Sequence, residues 1–306
     1  MSVLAKARAA QSSSDPGAHM ATGSRGDRRR ASIIDANTRM VHVDGADIAY
    51  REIGSGDRPP LVALTHLGGN LDAWDPEVID ALAQDRRVIV LGYRGVGRST
   101  GRVRDTFDDM ARDTIAAVLA LGLNRIDLFG LSMGGMVAQT IVEEEATLVD
   151  HLVMSGTGPR GGAGLTRMTG VMLRGIARSV MTARTATSVL FFPRTESGTR
   201  AAAAYQRRLK RRRTDRDAAV TPGVMRAQLR AVARWGAQPG PAHERMSTPT
   251  LTFHGEDDIL VPVANANQLR TAFSALDVVT FRHAGHGVVS QHRDIVTGRI
   301  QSFLRA

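Results

Sequence analysis

The hexapeptide Gly130-Leu131-Ser132-Met133-Gly134-Gly135 combines residue types and spacing that could build a nucleophile. It directly follows the apolar run Ile126 to Phe129 and opens a helical segment from Met136 to Glu145. Strand, sharp turn and helix therefore come in the order that a nucleophile elbow requires. Such a turn strains the backbone at the serine, and Gly130 and Gly134 keep side chains from colliding with strand and helix. The hydroxyl then projects above a helix N-terminus, where developing negative charge is favoured. A serine hydroxyl is a weak nucleophile at neutral pH, so it needs a general base, and the base needs a carboxylate to orient it. Here the required chain order is serine, acid, histidine. After the apolar run Leu251 to Phe253 comes His254-Gly255-Glu256-Asp257-Asp258, and after Val278 to Phe281 comes His283-Ala284-Gly285-His286-Gly287. Both loops fall on the same rim of a sheet as Ser132, and the chemistry they suggest is acyl transfer.

The elements that must position these groups follow from hydrophobic patterning. Short apolar runs at Met40 to Val43, Ile48 to Ile53, Leu61 to Leu64, Val88 to Leu91 and Leu152 to Met154 join the three above as strands. Several lack period-2 alternation, as strands covered on both faces do. Phe107, Met110, Ala111, Ile115, Val118 and Leu119 fall at helical spacing, with Asp105, Asp108 and Asp109 near the helix start. Strands alternating with helices predict an α/β fold with a mostly parallel, doubly wound sheet.

The alternation stops near Thr157 and resumes at Pro249. Within that insert Leu165, Met168, Met172 and Ile176 form one helical stripe, and Met225, Leu229 and Val232 another. The expected organisation is a core of residues 39–156 and 249–306, a helical insert over 157–248, and a disordered extension over 1–38, where Ala, Ser, Arg and Gly dominate without apolar periodicity. The insert carries 18 basic and four acidic residues, a net +14, against −4 for the remainder of a chain whose total is +10. Such a face is commonly just solvated, but it could also draw an anionic substrate, a membrane surface or nucleic acid.

Several chemistries are excluded. The chain has no cysteine, which removes thiol catalysis, disulfides and thiolate metal sites. No Gly-Lys dipeptide exists, so there is no Walker A loop. Gly95-Val96-Gly97-Arg98-Ser99-Thr100-Gly101 follows a strand, but its last glycine is one residue late for a dinucleotide fingerprint and no helical pattern opens there. Ser99 is accordingly expected to be structural. His283 and His286 lack a third ligand at metal spacing. The basic run Arg207 to Arg213 contains no aromatic residue to stack on bases.

With these residues in place the chain resembles an alpha/beta hydrolase over roughly Val41 to Ala306, the insert corresponding to that family's variable cap. The resemblance implies the alpha/beta-hydrolase fold and assigns the acid. In the family it lies three residues after the glycine of a Gly-x-x-Asp-x-x-x-Pro loop, which falls on Asp258 with Pro262 in register; Asp257 is the close alternative. The family's histidine sits in Gly-His-Gly or a near variant, which fits His286. His283 then belongs to the strand end, and His66, His254 and His292 are structural or surface residues. An oxyanion needs two backbone donors. One is expected from the amide of Met133. The other is expected from Thr65-His66-Leu67-Gly68-Gly69-Asn70, where relatives commonly carry His-Gly-x. Aligned without gaps, Thr65 falls on their histidine, His66 on their glycine and Leu67 on the donor, with Gly68 as the fallback.

The expected function is thus a serine hydrolase acting on a small carboxylic ester or lactone. Serine at the elbow argues against the dehalogenase and epoxide hydrolase branches, which use aspartate. The absence of Gly-Gly-Ser-Trp-Gly makes a proline iminopeptidase less favoured. Carbon–carbon bond hydrolases, cofactor-free perhydrolases and a non-turnover receptor of the same fold would carry the same motifs and stay open. No cofactor or metal is expected. The expected partner is a small ester-like molecule, with an anionic one favoured if the insert's arginines face it. Nucleic acid is not expected, nor is a membrane span, and the location expected is cytoplasmic. Oligomeric state is not legible.

Overall fold

The computed structural model of the chain describes residues 32–240 and 245–306. Eight strands form one sheet: β1 (Arg39–Val43), β2 (Ala46–Ile53), β3 (Leu61–Leu64), β4 (Val88–Leu91), β5 (Ile126–Leu131), β6 (Val149–Ser155), β7 (Thr250–Gly255) and β8 (Leu276–Phe281). Their order is β1-β2-β4-β3-β5-β6-β7-β8, antiparallel through β1, β2 and β4 and parallel from β4 to β8. All eight apolar runs are strands. The main differences lie in length: β5 runs to Leu131, and β6 starts at Val149.

The central parallel strands are buried on both faces, which is why they lack alternation, whereas β8 at the sheet edge is half exposed. Leu61, Val62, Ala63 and Leu64 are all fully inaccessible. Val62 and Leu64 join the cluster under helices α2 (Phe107–Ala120) and α3 (Met133–Glu144). Leu61 and Ala63 join the opposite cluster under α1 (Pro76–Leu82) and a C-terminal helix over Arg293–Phe303. Each fully buried Leu or Val contributes about 1.5–3 kcal/mol relative to exposure, so the sheet is a rigid platform for the loops at its carboxyl edge. Helix α2 starts where Thr106 accepts from the Asp109 amide at 3.2 Å, with Asp108 and Asp109 in its first turn.

Between β6 and β7 lie α4 (Met168–Met181), α5 (Ala186–Leu190), α6 (Glu196–Leu209) and α7 (Pro222–Ala237). Met168 and Met172 are buried as their stripe predicts, whereas Ile176 is exposed. The arginines of this segment reach back to the sheet domain. Arg208 grips Asp75 with Nε and Nη2 at 2.6–3.0 Å, Arg211 pairs with Glu77 at 3.0 Å, and Arg230 and Arg234 pair with Asp105 at 3.4 and 3.2 Å. Arg212, buried, donates to the carbonyls of Ile33, Ile34 and Ala36 at 2.9–3.0 Å. Ser32 and the Ile33 amide also bond Asp80, and Ile33 packs in the core. Disorder is therefore corrected over residues 32–38: a single buried arginine, more than 170 positions away, satisfies carbonyls that composition alone leaves without partners. Residues 1–31 of the expected extension lie outside the described residues. Among the described residues, no helix is long and apolar enough to cross a membrane.

Candidate active site

Strand β5 delivers Ser132 into a turn with φ 52° and ψ −113°, a left-handed strain that a non-glycine residue adopts only where its surroundings impose it. Its amide is tied to the Ser155 carbonyl of β6 at 2.8 Å. The flanking glycines are steric necessities. A Cβ on Gly134 would lie 2.2 Å from the Leu64 carbonyl oxygen, and one on Gly130 would lie 2.5 Å from that of Gly134. Because the glycine pair packs rather than breaks the helix, α3 begins at Met133, three residues earlier than the apolar pattern suggests. The Ser132 side chain makes no capping bond, so its hydroxyl is not consumed by the helix end.

The acid loop after β7 places Asp258, buried, with Oδ1 accepting from the amides of Leu260 and Val261 at 2.8 and 2.9 Å. Its Oδ2 lies 2.7 Å from His286 Nδ1 and 3.4 Å from His254 Nε2. Burial alone would push this carboxyl up, but charge and hydrogen bonding from His286 and His254 hold it well below the usual carboxylate range. As Asp258 accepts, His286 carries its proton on Nδ1 and leaves Nε2 as the basic nitrogen. Asp257, the alternative acid, is exposed and faces an outer groove. His283 is exposed, and its carbonyl accepts from Gln291 at 2.7 Å. The structure thus brings Ser132, Asp258 and His286 to one rim, although no hydrogen bond joins Ser132 Oγ to His286. Both line one pocket, and such bonds are often long until a substrate is bound.

The loop after β3 resolves the fallback donor. The Gly68 amide donates to Gln228 Oε1 of α7 at 2.8 Å and is taken. Among the described residues, the amides of Leu67 and Met133 donate to no protein acceptor. Gln228, fully buried on the apolar face Val224, Ala227, Ala231, Val232, is a polar residue out of pattern, and that misfit is the signal that could have found it. Gly156 was missed as well: its φ is +57°, and a Cβ there would sit 3.0 Å from the His286 ring. Ser99 is structural as expected, accepting from the Ala49 amide at 2.9 Å, and no helix opens between β4 and Phe107.

The pocket over Ser132 is closed by Phe191 and Tyr205 from the segment between β6 and β7, with Trp74 and His66 from the sheet loops. Phe191 stands edge-on to both His66 and His286, with ring centroids 4.9 and 5.1 Å apart. His66, expected to be merely structural, is therefore a pocket residue. Of the other two histidines, His254 is buried beside Asp258, and His292 stacks on Phe281 at 4.7 Å. No arginine is among the described residues lining the pocket. Its acidic member, Asp75, is already paired with Arg208. Among the described residues, no group of three or more His, Cys, Asp or Glu could hold a metal ion.

Comparison with known proteins adds the family. The family model of the alpha/beta hydrolase fold matches residues 59–292. Over 264 residues the chain is 26% identical to a protein of Rhizobium rhizogenes named as a carbamate hydrolase, covering 83% of this chain and 97% of that one. Among solved structures, an alpha/beta hydrolase fold protein from Chitinophaga pinensis matches with a TM-score of 0.84 at 27% identity, covering 90% of this chain and 99% of that chain. A thermophilic esterase from Thermogutta terrifontis shares the fold at a TM-score of 0.66 and 22% identity, covering 88% of this chain and 98% of that chain.

Proposed function

This chain belongs to the alpha/beta hydrolase family, and from that premise we propose that it cleaves a small carboxylic ester, lactone or carbamate by acyl transfer through Ser132. In this reading His286 Nε2 takes the Ser132 proton as the hydroxyl attacks the carbonyl, then returns it to the leaving group. Asp258 holds the imidazole in the tautomer that makes this possible. The amides of Met133 and Leu67 receive the oxyanion, and water then attacks the acyl-enzyme by the same proton route. Residues 157–248 act as a helical cap whose Phe191 and Tyr205 roof the site. The carrying observation is a strained Ser132 in one pocket with His286, whose Nδ1 lies 2.7 Å from buried Asp258.

Ester and lactone come from the motif reading, and carbamate is added by the name of the Rhizobium relative. Intact-mass labelling with a fluorophosphonate tests the mechanism. The wild type should take one adduct, Ser132→Ala none, and His286→Ala should label at least about a hundredfold more slowly, the usual worth of a general base. A folded wild type that takes no adduct and turns over no ester or carbamate would sink the reading.

A further inference from the structure

His66 holds a hydrogen-bonding atom that the fold does not use. Its Nδ1 lies 2.9 Å from the Leu67 carbonyl oxygen, which can only accept, so Nδ1 carries the proton and Nε2 presents a lone pair. That Nε2 is buried and has no partner among the described residues. The side chain is nine-tenths or more buried and lines the pocket that contains Ser132 and His286. Burial and the charge of His286 outweigh the bond to Leu67 and bring its pKa down to about 4, so the ring is neutral at physiological pH. Phe191, edge-on at 4.9 Å, fixes its orientation without offering a donor. Leaving a buried acceptor without a donor is costly, and that cost is recovered when a ligand supplies one. Two further pocket residues also carry unpartnered buried polar atoms, Trp74 Nε1 and Ser155 Oγ.

We propose that His66 Nε2 is a specificity-determining acceptor for an N–H or O–H donor that the substrate carries within a few bonds of its scissile carbonyl. The position follows from the chain: Leu67, whose amide is assigned to the oxyanion, is the next residue. The class selected is a carbamate or a hydroxyl-bearing ester over its isosteric hydrocarbon analogue. Sites built around such a bond reject the analogue that lacks it, because the buried partner is left unpaired.

This inference rests on the hydrolase reading, so its test uses two matched substrate pairs. One is 4-nitrophenyl N-methylcarbamate with 4-nitrophenyl propionate; the other is 2-hydroxyethyl propionate with propyl propionate. The quantity read is the ratio of kcat/KM within each pair, which is independent of how much of a sample is active. Relative to wild type, His66→Leu should lower the donor-to-hydrocarbon ratio in at least one pair by about fivefold or more, the worth of one hydrogen bond to a buried group. His66→Gln, which keeps an acceptor at similar reach, should recover most of it. A smaller change in both pairs overturns the assignment while Ser132 labelling and turnover stand. A wild type that takes no fluorophosphonate and turns over none of the four substrates overturns the hydrolase reading and this inference together.

Discussion

At the scale of single residues, the choice between Asp257 and Asp258 is the sharpest. They are adjacent in sequence, yet one is exposed and the other is buried against His286. Asp258→Asn would place an amide where the carboxylate accepts from Nδ1, favouring the tautomer with its proton on Nε2 and so removing the base. We expect kcat to fall by roughly 10⁴ with the fold retained, whereas Asp257→Asn should leave it within about twofold, as for a surface change. Equal losses from steady-state kinetics on both variants would mean that the acid is misassigned. That Ser132, Asp258 and His286 come to one rim was legible because each sits in a short local motif whose glycines answer to backbone geometry. Gln228, Gly156 and His66 were not, because their roles depend on neighbours distant in the chain. Gly68 and Gln228 are 160 positions apart, and only a buried glutamine on an apolar stripe hinted at the pair.

At the scale of elements, helix α6 brings Tyr205 to the pocket and is held there by Arg208 on Asp75. Asp75 is nearly inaccessible, and it also caps α1, accepting from the Glu77 amide at 3.2 Å. Its carboxylate is thus shared between the start of α1 and the end of α6. Arg208→Met would strand that charge in a largely apolar setting, and breaking a buried pair from one side costs about 3–5 kcal/mol. Urea unfolding should register the loss, and a double variant that also carries Asp75→Asn should recover part of it, because the orphaned charge is gone. If the single variant unfolds at the wild-type midpoint, α6 is held by packing alone. Strands and core helices were legible because periodicity is a local property. The insert was legible as helical and basic, but the destinations of Arg208, Arg211, Arg230 and Arg234 were not, since Asp75, Glu77 and Asp105 lie outside it.

At the scale of the whole molecule, part of the +14 on residues 157–248 is answered by carboxylates of the remainder, which carries −4. Arg208, Arg211, Arg216, Arg230 and Arg234 meet Asp75, Glu77, Asp72 and Asp105. These pairs dock the segment between β6 and β7 onto the sheet domain, and among the described residues no arginine lines the pocket over Ser132. Acid should loosen this arrangement. His66 has its pKa lowered from 6.5 to about 4 in the folded protein, so the unfolded chain binds the extra proton over that interval. Stability from this group is then full above about pH 6.5 and lost as pH falls through 4, a change of about 3 kcal/mol. His292, also lowered by burial, acts in the same sense. Asp80, Asp127 and Glu144 are pushed up by burial and act in the opposite sense, so the wild-type curve alone mixes the signs. The difference between wild type and His66→Gln cancels those carboxyls. In denaturant titrations the wild type should lose roughly 3 kcal/mol against the variant between pH 7 and pH 4. A difference that stays constant across that range would mean that the folded protein protonates His66 freely, and the neutral acceptor in the pocket would go with it.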